Sequence, residues 1–330
     1  MDEKIQPYSE EHIYVICDLI VPLNMYRLDE PFISRITAKF PNINLIFTSP
    51  ETIFDDANQN PLFKKATIYL GNLFSMEYIK LIPGLKWIHL CSVGRDKVNE
   101  ELVKEKNISV TSSGGIPNNP MVASAIAFMS NMARGVFRSH ILKQYKQLDR
   151  KNWDKTGDFI QDMYGQHVLI VGYGSIGSEL AKICKAFDMK VSAINRSHLP
   201  DNNVDYYYTL DNISTCINDA DFVVNLLPLT TETFQFFTKK IFNKMNRKSF
   251  FVSLGRGETV SEEDLILALK NKTICAAALD VFEIEPLPLN SPLWDIENLI
   301  ITPHVASYSN TYWDKQSNLF IDLLDDHLTK

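Results

Sequence analysis

The stretch HVLIVGYGSIGSELAKICKAF, residues 167–187, decides the fold of this chain. An apolar run of five residues leads into GYGSIG, which matches the pattern G-x-G-x-x-G, and apolar residues at helical spacing follow. In this strand–turn–helix context, Gly172 permits a tight turn, Gly174 lets a pyrophosphate approach the backbone, and Gly177 allows close packing of helix on strand. Free amides at the start of the helix then face the phosphates. The stretch therefore predicts a dinucleotide-binding βαβ unit.

The end of the next predicted strand, VSAINRS at residues 191–197, bears on the choice of dinucleotide. An NAD site usually carries an acidic residue about 20 residues after the glycines, where it accepts hydrogen bonds from the adenosine ribose. Asn195 occupies that position here, and Arg196 and Ser197 follow it. The site lacks a carboxylate that would repel a 2′-phosphate and gains a cation that pairs with one. We expect a preference for NADP(H); the alternative is that Arg196 points to solvent and both cofactors are used.

The pattern around this stretch is typical of an α/β protein with two units. Short β-rich runs alternate with amphipathic stretches from residue 14 to 113, and a second alternation begins at residue 167. Such βαβ alternation indicates parallel sheets. Between the two, apolar residues at helical spacing predict one long helix over about 118–150, with Pro120 near its start.

Composition excludes several classes of protein. With 330 residues, 45% hydrophobic and 22% charged, the chain is long enough for two globular domains. A net charge of −7, with acidic and basic residues mixed, gives no concentrated footprint for nucleic acid. The N-terminus is polar and no segment supplies about 18 unbroken apolar residues, so we expect no membrane span and a cytosolic location.

The cysteines and histidines do not suggest a metal site. The histidines form no cluster with ligand spacing, so no metal is expected. Five cysteines are scattered without a C-x-x-C pair and are expected to be free thiols; they are Cys17, Cys91, Cys184, Cys216 and Cys275.

Polar residues in apolar surroundings mark three segments near predicted strand ends. They are Arg256 in SLGRGETV, Asp280, Glu283 and Glu285 in ALDVFEIEPLP, and His304 in ITPHVAS. Taken singly, Arg256 and Glu285 also fit solvated surface residues, and His304 fits an ordinary loop histidine. Behind a dinucleotide motif, an arginine, a carboxylate and a histidine together supply what the reduction of a 2-oxo acid needs.

Each of the three has a chemical reason to be there. The guanidinium of Arg256 offers a planar pair of donors that holds a substrate carboxylate and polarises the 2-oxo group. His304 titrates near neutral pH, so it can give a proton to the developing alkoxide. Glu285 would favour the imidazolium, raise the pKa of His304 and fix the ring.

The sequence resembles the D-isomer-specific 2-hydroxyacid dehydrogenase family over nearly its whole length. The matching motifs, in order, are GYGSIG at 172–177, LPLTTET at 227–233, GRGETV at 255–260, ALDVFEIEPLP at 278–288, SPLW at 291–294 and TPHVAS at 302–307. The family includes glyoxylate/hydroxypyruvate reductases, D-lactate dehydrogenases and phosphoglycerate dehydrogenases.

The resemblance implies roles for residues at matching positions. It implies that Arg256 binds and polarises the substrate, that Glu285 is the partner carboxylate and that His304 is the acid/base. Asp280 would contact the nicotinamide carboxamide, and the backbone amides of Val93 and Gly94, in CSVGRD, would grip the substrate carboxylate. Further cofactor-lining positions are implied for Ser175, Ile176, Leu227, Pro228, Thr233, Leu254 and Gly255.

The resemblance also implies an architecture, an assembly and a substrate. Residues 1–113 plus 307–330 would form a flavodoxin-like substrate domain, into which a Rossmann-type, doubly wound NAD(P) domain of residues 114–306 is inserted. The helix over about 118–150 would dimerise, giving a homodimer, and the cleft between domains would hold a small 2-oxo acid, with glyoxylate and hydroxypyruvate the leading substrates. The chain departs from the family at Ser124, where glutamate is common, and at Asn195.

Two other functions share this fold. A dinucleotide-sensing corepressor would act through partner peptides, but this chain has almost nothing outside its two expected domains. A phosphite-type dehydrogenase uses a similar trio of residues and stays open at this point. Formate dehydrogenases carry glutamine where Glu285 stands, which disfavours that chemistry.

Overall fold

The computed structural model describes residues 12–20, 28, 30–72, 74–95, 98–154, 160–195 and 201–329. They form two compact units: one holds the residues up to Pro117 and those from Tyr308 onward, and the other holds Asn118–Ser307. The chain therefore leaves the first unit, builds the second and returns. The boundaries between the units follow Pro117 and Ser307, whereas the sequence predicted boundaries after residues 113 and 306.

The first unit contains a five-stranded parallel sheet in the order β2-β1-β3-β4-β5. In this flavodoxin-like order the direction of winding reverses between β1 and β3. The strands are β1 (Ile13–Asp18), β2 (Ile43–Thr48), β3 (Ile68–Gly71), β4 (Trp87–Leu90) and β5 (Ser109–Ser112). The helices between them are α1 (Glu30–Lys39), α2 (Ile53–Gln59), α3 (Tyr78–Leu81) and α4 (Glu100–Glu105).

The second unit contains a seven-stranded sheet, also parallel, in the order β12-β11-β10-β9-β6-β7-β8. The direction of winding reverses between β6 and β9, as in a Rossmann fold. The strands are β6 (His167–Val171), β7 (Lys190–Ile194), β8 (Tyr206–Tyr208), β9 (Phe222–Asn225), β10 (Phe250–Ser253), β11 (Ala276–Leu279) and β12 (Leu299–Ile301). The helices are α5 (Asn118–Ala133), α6 (Val136–Gln144), α7 (Arg150–Asp154), α8 (Ser175–Ala186), α9 (Lys239–Phe242) and α10 (Glu262–Lys270). The predicted α/β class, with a Rossmann-type and a flavodoxin-like unit, is confirmed.

The last helix, α11 (Tyr312–Leu328), belongs to the first unit. Its apolar side has a partner because Phe320 stacks on Trp87 of β4, with ring centroids 5.4 Å apart. Phe320 and Leu324 are completely buried in the core on that side of the sheet. Ion pairs from Arg35 and Lys39 of α1 to acidic residues of α11 add to this packing.

The prediction of a single helix over about 118–150 is wrong. The structure has α5, α6 and α7 there, and α5 and α6 are separated at Gly135, whose φ of +65° is left-handed. A residue in this conformation ends a helix, and glycine adopts it without steric cost. A Cβ at Gly135 would also lie 2.4 Å from the Trp153 ring, so the turn depends on the missing side chain. Apolar spacing continues through Met132 and Val136, which is why the sequence pattern did not indicate the break.

The packing of α8 on β6 yields a stability prediction. A Cβ on Gly177 would lie 2.9 Å from the carbonyl oxygen of Gly172 and 3.3 Å from Ile170, so Gly177→Ala must push α8 off the sheet. We expect a loss of about 1–3 kcal/mol in the free energy of unfolding, measured by urea titration.

Gly174→Ala is the matched control, because its Cβ would have no atom within 4 Å and its φ of −106° suits alanine. The lower entropy of the unfolded chain and the poorer helix cap should offset each other to within about 0.5 kcal/mol. Equal losses in the two variants would show that close helix–strand contact is not what Gly177 provides.

Candidate active site

A cavity of about 630 Å³ lies at the point where the winding of the second sheet reverses. It is lined from three strand ends: Gly172 and Gly174 follow β6, Asn195 follows β7, and Leu227 and Pro228 follow β9. Crevices at the carboxyl ends of parallel strands, at such a switch point, are where α/β proteins bind ligands. The cavity therefore lies where the GYGSIG motif predicts a dinucleotide.

The residues around the cavity fit a pyrophosphate. Gly172 has a φ of +102°, and a Cβ there would lie 2.7 Å from the backbone of Leu226, so this turn requires glycine. Gly174 lines the cavity and precedes α8 without a capping side chain, and a Cβ there would protrude into open space. The first amides of this 12-residue helix are thus available to an anion.

The cofactor residues expected from the sequence fall into three groups. Six of them line the cavity: Gly172, Gly174, Asn195, Leu227, Pro228 and Thr233. Six others lie in the same unit but not in the cavity wall: Ser175, Ile176, Gly177, Leu254, Gly255 and Asp280. Arg196 and Ser197 lie outside the described residues.

The cavity also includes residues that the sequence analysis missed. They are Thr209, Leu210, Asp211, Glu232 and Phe236, besides backbone neighbours of the expected residues. Glu232 precedes Thr233 in the LPLTTET motif and was open to inference from it, and Phe236 lies three residues beyond that motif. Asp211 follows β8, and only the pairing of β8 beside β7 brings it to the cavity. Its carboxylate means that the cavity is not free of acidic groups, although Asn195 is not acidic.

A buried polar network, also missed, connects the cavity wall to Arg256. The amide of Asn225, at the end of β9, donates to the hydroxyls of Ser253 (3.1 Å) and Thr259 (2.8 Å) and accepts from the Leu227 N–H (3.1 Å). The Thr259 hydroxyl in turn donates to the Arg256 carbonyl at 2.6 Å. Asn225, Ser253 and Thr259 are fully buried, so this network fixes the backbone on both sides of Arg256. An asparagine inside the apolar run FVVNLL was the signal in the sequence.

His304 and Glu285 form a direct hydrogen-bonded pair. The Nδ1 atom of His304 lies 2.6 Å from Oε2 of Glu285, and both side chains are partly exposed. The other oxygen of Glu285 accepts the Phe282 N–H at 3.0 Å, which holds the carboxylate in place. With Nδ1 directed at the carboxylate, Nε2 is the ring atom left to exchange a proton with a substrate.

Asp280 holds the loop that carries His304. This buried carboxylate accepts the N–H groups of Val305 and Ala306 at 2.9 Å each and the Thr302 hydroxyl at 2.5 Å. The Asp280 carbonyl accepts the His304 N–H at 2.8 Å. His304 has a φ of +54°, which costs free energy in a residue with a side chain. The contacts of Asp280 stabilise the loop in this conformation.

The charges of the trio act on one another. The hydrogen bond to Glu285 raises the pKa of His304 above its usual value, against partial burial and the nearby charge of Arg256. Burial works to raise the pKa of Glu285, but the hydrogen bonds from His304 and from the Phe282 N–H outweigh it, and the pKa of Glu285 is lowered. The pair therefore favours an imidazolium beside a carboxylate near neutral pH.

Two glycines bring Arg256 to this pair. A Cβ on Gly257 would lie 1.9 Å from the carbonyl oxygen of Phe282, and one on Gly255 would lie 2.4 Å from that of Leu227. The GRGET backbone thus contacts both the segment that carries Glu285 and the wall of the cavity. Arg256 Nη1 donates to the Gly255 carbonyl at 2.9 Å.

Val93 and Gly94 lie in the first unit, in the loop that follows β4. Val93 is 42% exposed. The Ser92 hydroxyl donates to the Gly94 carbonyl at 3.3 Å and to the Asn72 carbonyl at 3.3 Å. In the hydrogen bonds of the described residues, the N–H groups of Val93 and Gly94 have no acceptor. Successive backbone amides without an acceptor are one way in which proteins bind anions.

The described ranges contain neither a metal site nor a membrane span. Within them, no group of three or more histidine, cysteine, aspartate or glutamate side chains is arranged to hold a metal ion. None of the helices described combines the length and apolar character needed to cross a membrane. All five cysteines are free thiols, and only Cys275 is not buried.

Comparison with known proteins shows the family. The model described as "D-isomer specific 2-hydroxyacid dehydrogenase, NAD binding domain" matches residues 126–306. A probable 2-ketogluconate reductase from Dictyostelium discoideum is 30% identical over 269 residues, which cover 78% of this chain and 79% of that protein. Glyoxylate/hydroxypyruvate reductase B from Citrobacter koseri is 28% identical over 310 residues, covering 92% and 91%.

A solved structure agrees with these relatives. A D-isomer specific 2-hydroxyacid dehydrogenase family protein from Aeromonas salmonicida is 25% identical, with a TM-score of 0.77, and the match covers 95% of this chain and 94% of the other. The family suggested by the motifs is therefore confirmed. This chain belongs to the D-isomer specific 2-hydroxyacid dehydrogenase family and is an NAD(P)-dependent oxidoreductase.

Proposed function

We propose that this protein reduces glyoxylate or hydroxypyruvate to the 2-hydroxy acid, with NADPH preferred over NADH. The observation that carries the proposal is the 2.6 Å contact between His304 and Glu285. The segment of Glu285 also touches the segment of Arg256, because Gly257 lies against the backbone of Phe282. The choice of substrate is supported by the similarity to glyoxylate/hydroxypyruvate reductase B from Citrobacter koseri, which matches nearly the whole chain.

A nicotinamide dinucleotide held by the GYGSIG turn and the cavity wall would supply the hydride that reduces the carbonyl carbon of the acid. Arg256 holds the substrate carboxylate and polarises the carbonyl through its planar donors. As negative charge develops on the carbonyl oxygen, Nε2 of the His304 imidazolium donates its proton there. Glu285 stabilises the imidazolium before transfer and keeps the ring oriented afterwards. The carbon has then gained a hydride and the oxygen a proton, which gives the hydroxy acid.

We assign the grip on the substrate carboxylate to the first unit. The N–H groups of Val93 and Gly94 have no acceptor in the described hydrogen bonds, and they follow β4 in an exposed loop. The first unit is thus proposed as the substrate domain and the second as the cofactor domain. From the family resemblance we also assign Asp280, which holds the loop of His304, to the nicotinamide carboxamide.

Proposed assembly is a homodimer formed through the region of α6. Val136 and Tyr145, at the two ends of α6, are 55% and 70% exposed. Both lie within residues 118–150, where the family resemblance implies dimerisation. A protein that stays monomeric at micromolar concentration in sedimentation velocity would contradict the proposal.

The cytosolic location stays a prediction.

The function is tested by following NADPH and NADH at 340 nm with glyoxylate, hydroxypyruvate, pyruvate and a bulkier 2-oxo acid. We expect oxidation of NADPH with one of the small acids. Binding of NADPH without turnover of any acid would redirect the assignment to a dinucleotide-sensing, corepressor-like protein or to a phosphite-type substrate.

Removing the charge of Glu285 should change the pH dependence of reduction. Reduction needs the protonated His304, so kcat/KM falls as the pH rises through the pKa of that residue. Glu285 raises this pKa through its hydrogen bond, and Glu285→Gln should therefore move the alkaline limb of kcat/KM to lower pH.

Glu283→Gln is the matched control for this change. Glu283 is two residues away, but its carboxylate accepts the Glu262 N–H instead of bonding His304. The alkaline limb of kcat/KM in Glu283→Gln should coincide with that of the parent protein. An unshifted limb in Glu285→Gln would mean that another group sets the pH dependence.

A carboxylate at position 195 should reverse the preference for cofactor. Asn195 lines the cavity at the end of β7, where an acidic residue would accept the ribose hydroxyls and repel a 2′-phosphate. We expect Asn195→Asp to lower kcat/KM for NADPH by about tenfold or more relative to NADH, which is about 1.4 kcal/mol. Asn195→Ser is the uncharged control and should keep the preference. A parent protein that uses both cofactors equally would overturn the proposed preference.

A further inference from the structure

The carbonyl of Cys91 is held by the last helix of the chain. Cys91 follows β4 directly and precedes the loop of Ser92, Val93 and Gly94. Its carbonyl oxygen accepts two hydrogen bonds, from the Tyr312 hydroxyl at 2.5 Å and from the Gln316 side-chain amide at 2.7 Å. Both donors are on the first two turns of α11, more than 200 residues along the chain.

The rest of the network fixes the same loop. The side-chain oxygen of Gln316 accepts the Ser113 hydroxyl at 2.8 Å, and the Ser113 N–H donates to the Ser92 carbonyl at 3.0 Å. The Cys91 N–H donates to the Gly71 carbonyl at 2.8 Å. Consecutive carbonyls of the loop, at Cys91 and Ser92, are therefore tied to α11 or to a residue bound to it.

Burial makes these contacts specific. Gln316 and Ser113 are 0% exposed and Cys91 is 2% exposed, so water does not replace a lost donor. A buried carbonyl that has lost its donor destabilises the fold unless the backbone moves toward another donor. The backbone that would move carries the Val93 and Gly94 amides, and displaced amides make weaker hydrogen bonds to a bound carboxylate.

We propose that Tyr312 and Gln316 are positioning residues for substrate binding: by holding the Cys91 carbonyl, they aim the Val93 and Gly94 amides at the substrate carboxylate. This inference rests on the proposed function of that loop. Tyr312 is only eight positions after His304 in the sequence. One short segment therefore carries both the proposed proton donor and a residue that holds the loop of Val93 and Gly94.

The test compares Tyr312→Phe with the parent protein. The change removes one hydroxyl and keeps the ring that packs edge-on against Trp313 at 5.0 Å. We expect KM for glyoxylate and the dissociation constant of oxalate, a dicarboxylate probe, to rise about tenfold, the size of one buried hydrogen bond. The value of kcat should stay within about twofold, a change small on the scale of catalytic effects. The NADPH dissociation constant and the alkaline limb of the pH profile should not change.

Gln316→Met removes both amide contacts at similar volume and should have a larger effect in the same direction. Ser317→Ala is the matched control: Ser317 is on the same helix and 0% exposed, but its hydroxyl donates to the Asp314 carbonyl at 2.9 Å, away from Cys91. If α11 only stabilises the fold, all three variants lose stability and oxalate binds each of them as it binds the parent protein, which would overturn the proposal. Oxalate titration needs no turnover, so a failure of the proposed reaction is seen separately, as absent oxidation of NADPH in the parent protein.

Discussion

The carboxyl edge of the second sheet depends on backbone lying against backbone at positions where no side chain fits. Gly172 lies against Leu226, Gly255 against Leu227, and Gly257 against Phe282. These contacts join the GYGSIG, LPLTTET, GRGETV and ALDVFEIEPLP segments, which are far apart in sequence. Because a Cβ at any of the three would come within 2.7 Å of backbone, this edge does not tolerate a larger residue without moving a segment of the site.

On this backbone, buried polar side chains set the finer geometry. Asn225 bonds the hydroxyls of Ser253 and Thr259, on either side of Arg256, and Asp280 bonds the loop of His304. Each acts through hydrogen bonds that water cannot replace, so each specifies one backbone conformation. The left-handed φ of His304 is maintained in this way, as strained residues at functional sites generally are.

What the sequence predicted correctly was local or carried by ordered motifs. The β6–α8 unit was predicted because strand, glycines and helix are contiguous, and the two-unit α/β fold followed from alternation together with the family resemblance. The break at Gly135 was missed because it depends on a left-handed glycine beside the Trp153 ring, while apolar spacing continues across it. Asp211 was missed because its place in the cavity wall depends on β8 pairing with β7. The network of Tyr312, Gln316 and Cys91 joins residues that no sequence motif connects.

The two carboxylates near His304 have different main tasks: Asp280 holds the backbone of the loop, and Glu285 sets the pKa of the imidazole. Asp280 is buried, and its oxygens accept two N–H groups and a hydroxyl, so its main part is to hold the backbone of the loop, while its charge adds a smaller share to the raised pKa of His304. Glu285 has one oxygen on the Phe282 N–H and the other on the ring of His304, so its charge acts on the imidazole. If Asp280 instead faced the ring, the loop amides would lose their acceptor. If Glu285 lost the Phe282 N–H, nothing described would fix the direction of its second oxygen. The separate partners of the two carboxylates therefore account for a histidine that is both held in a strained conformation and raised in pKa.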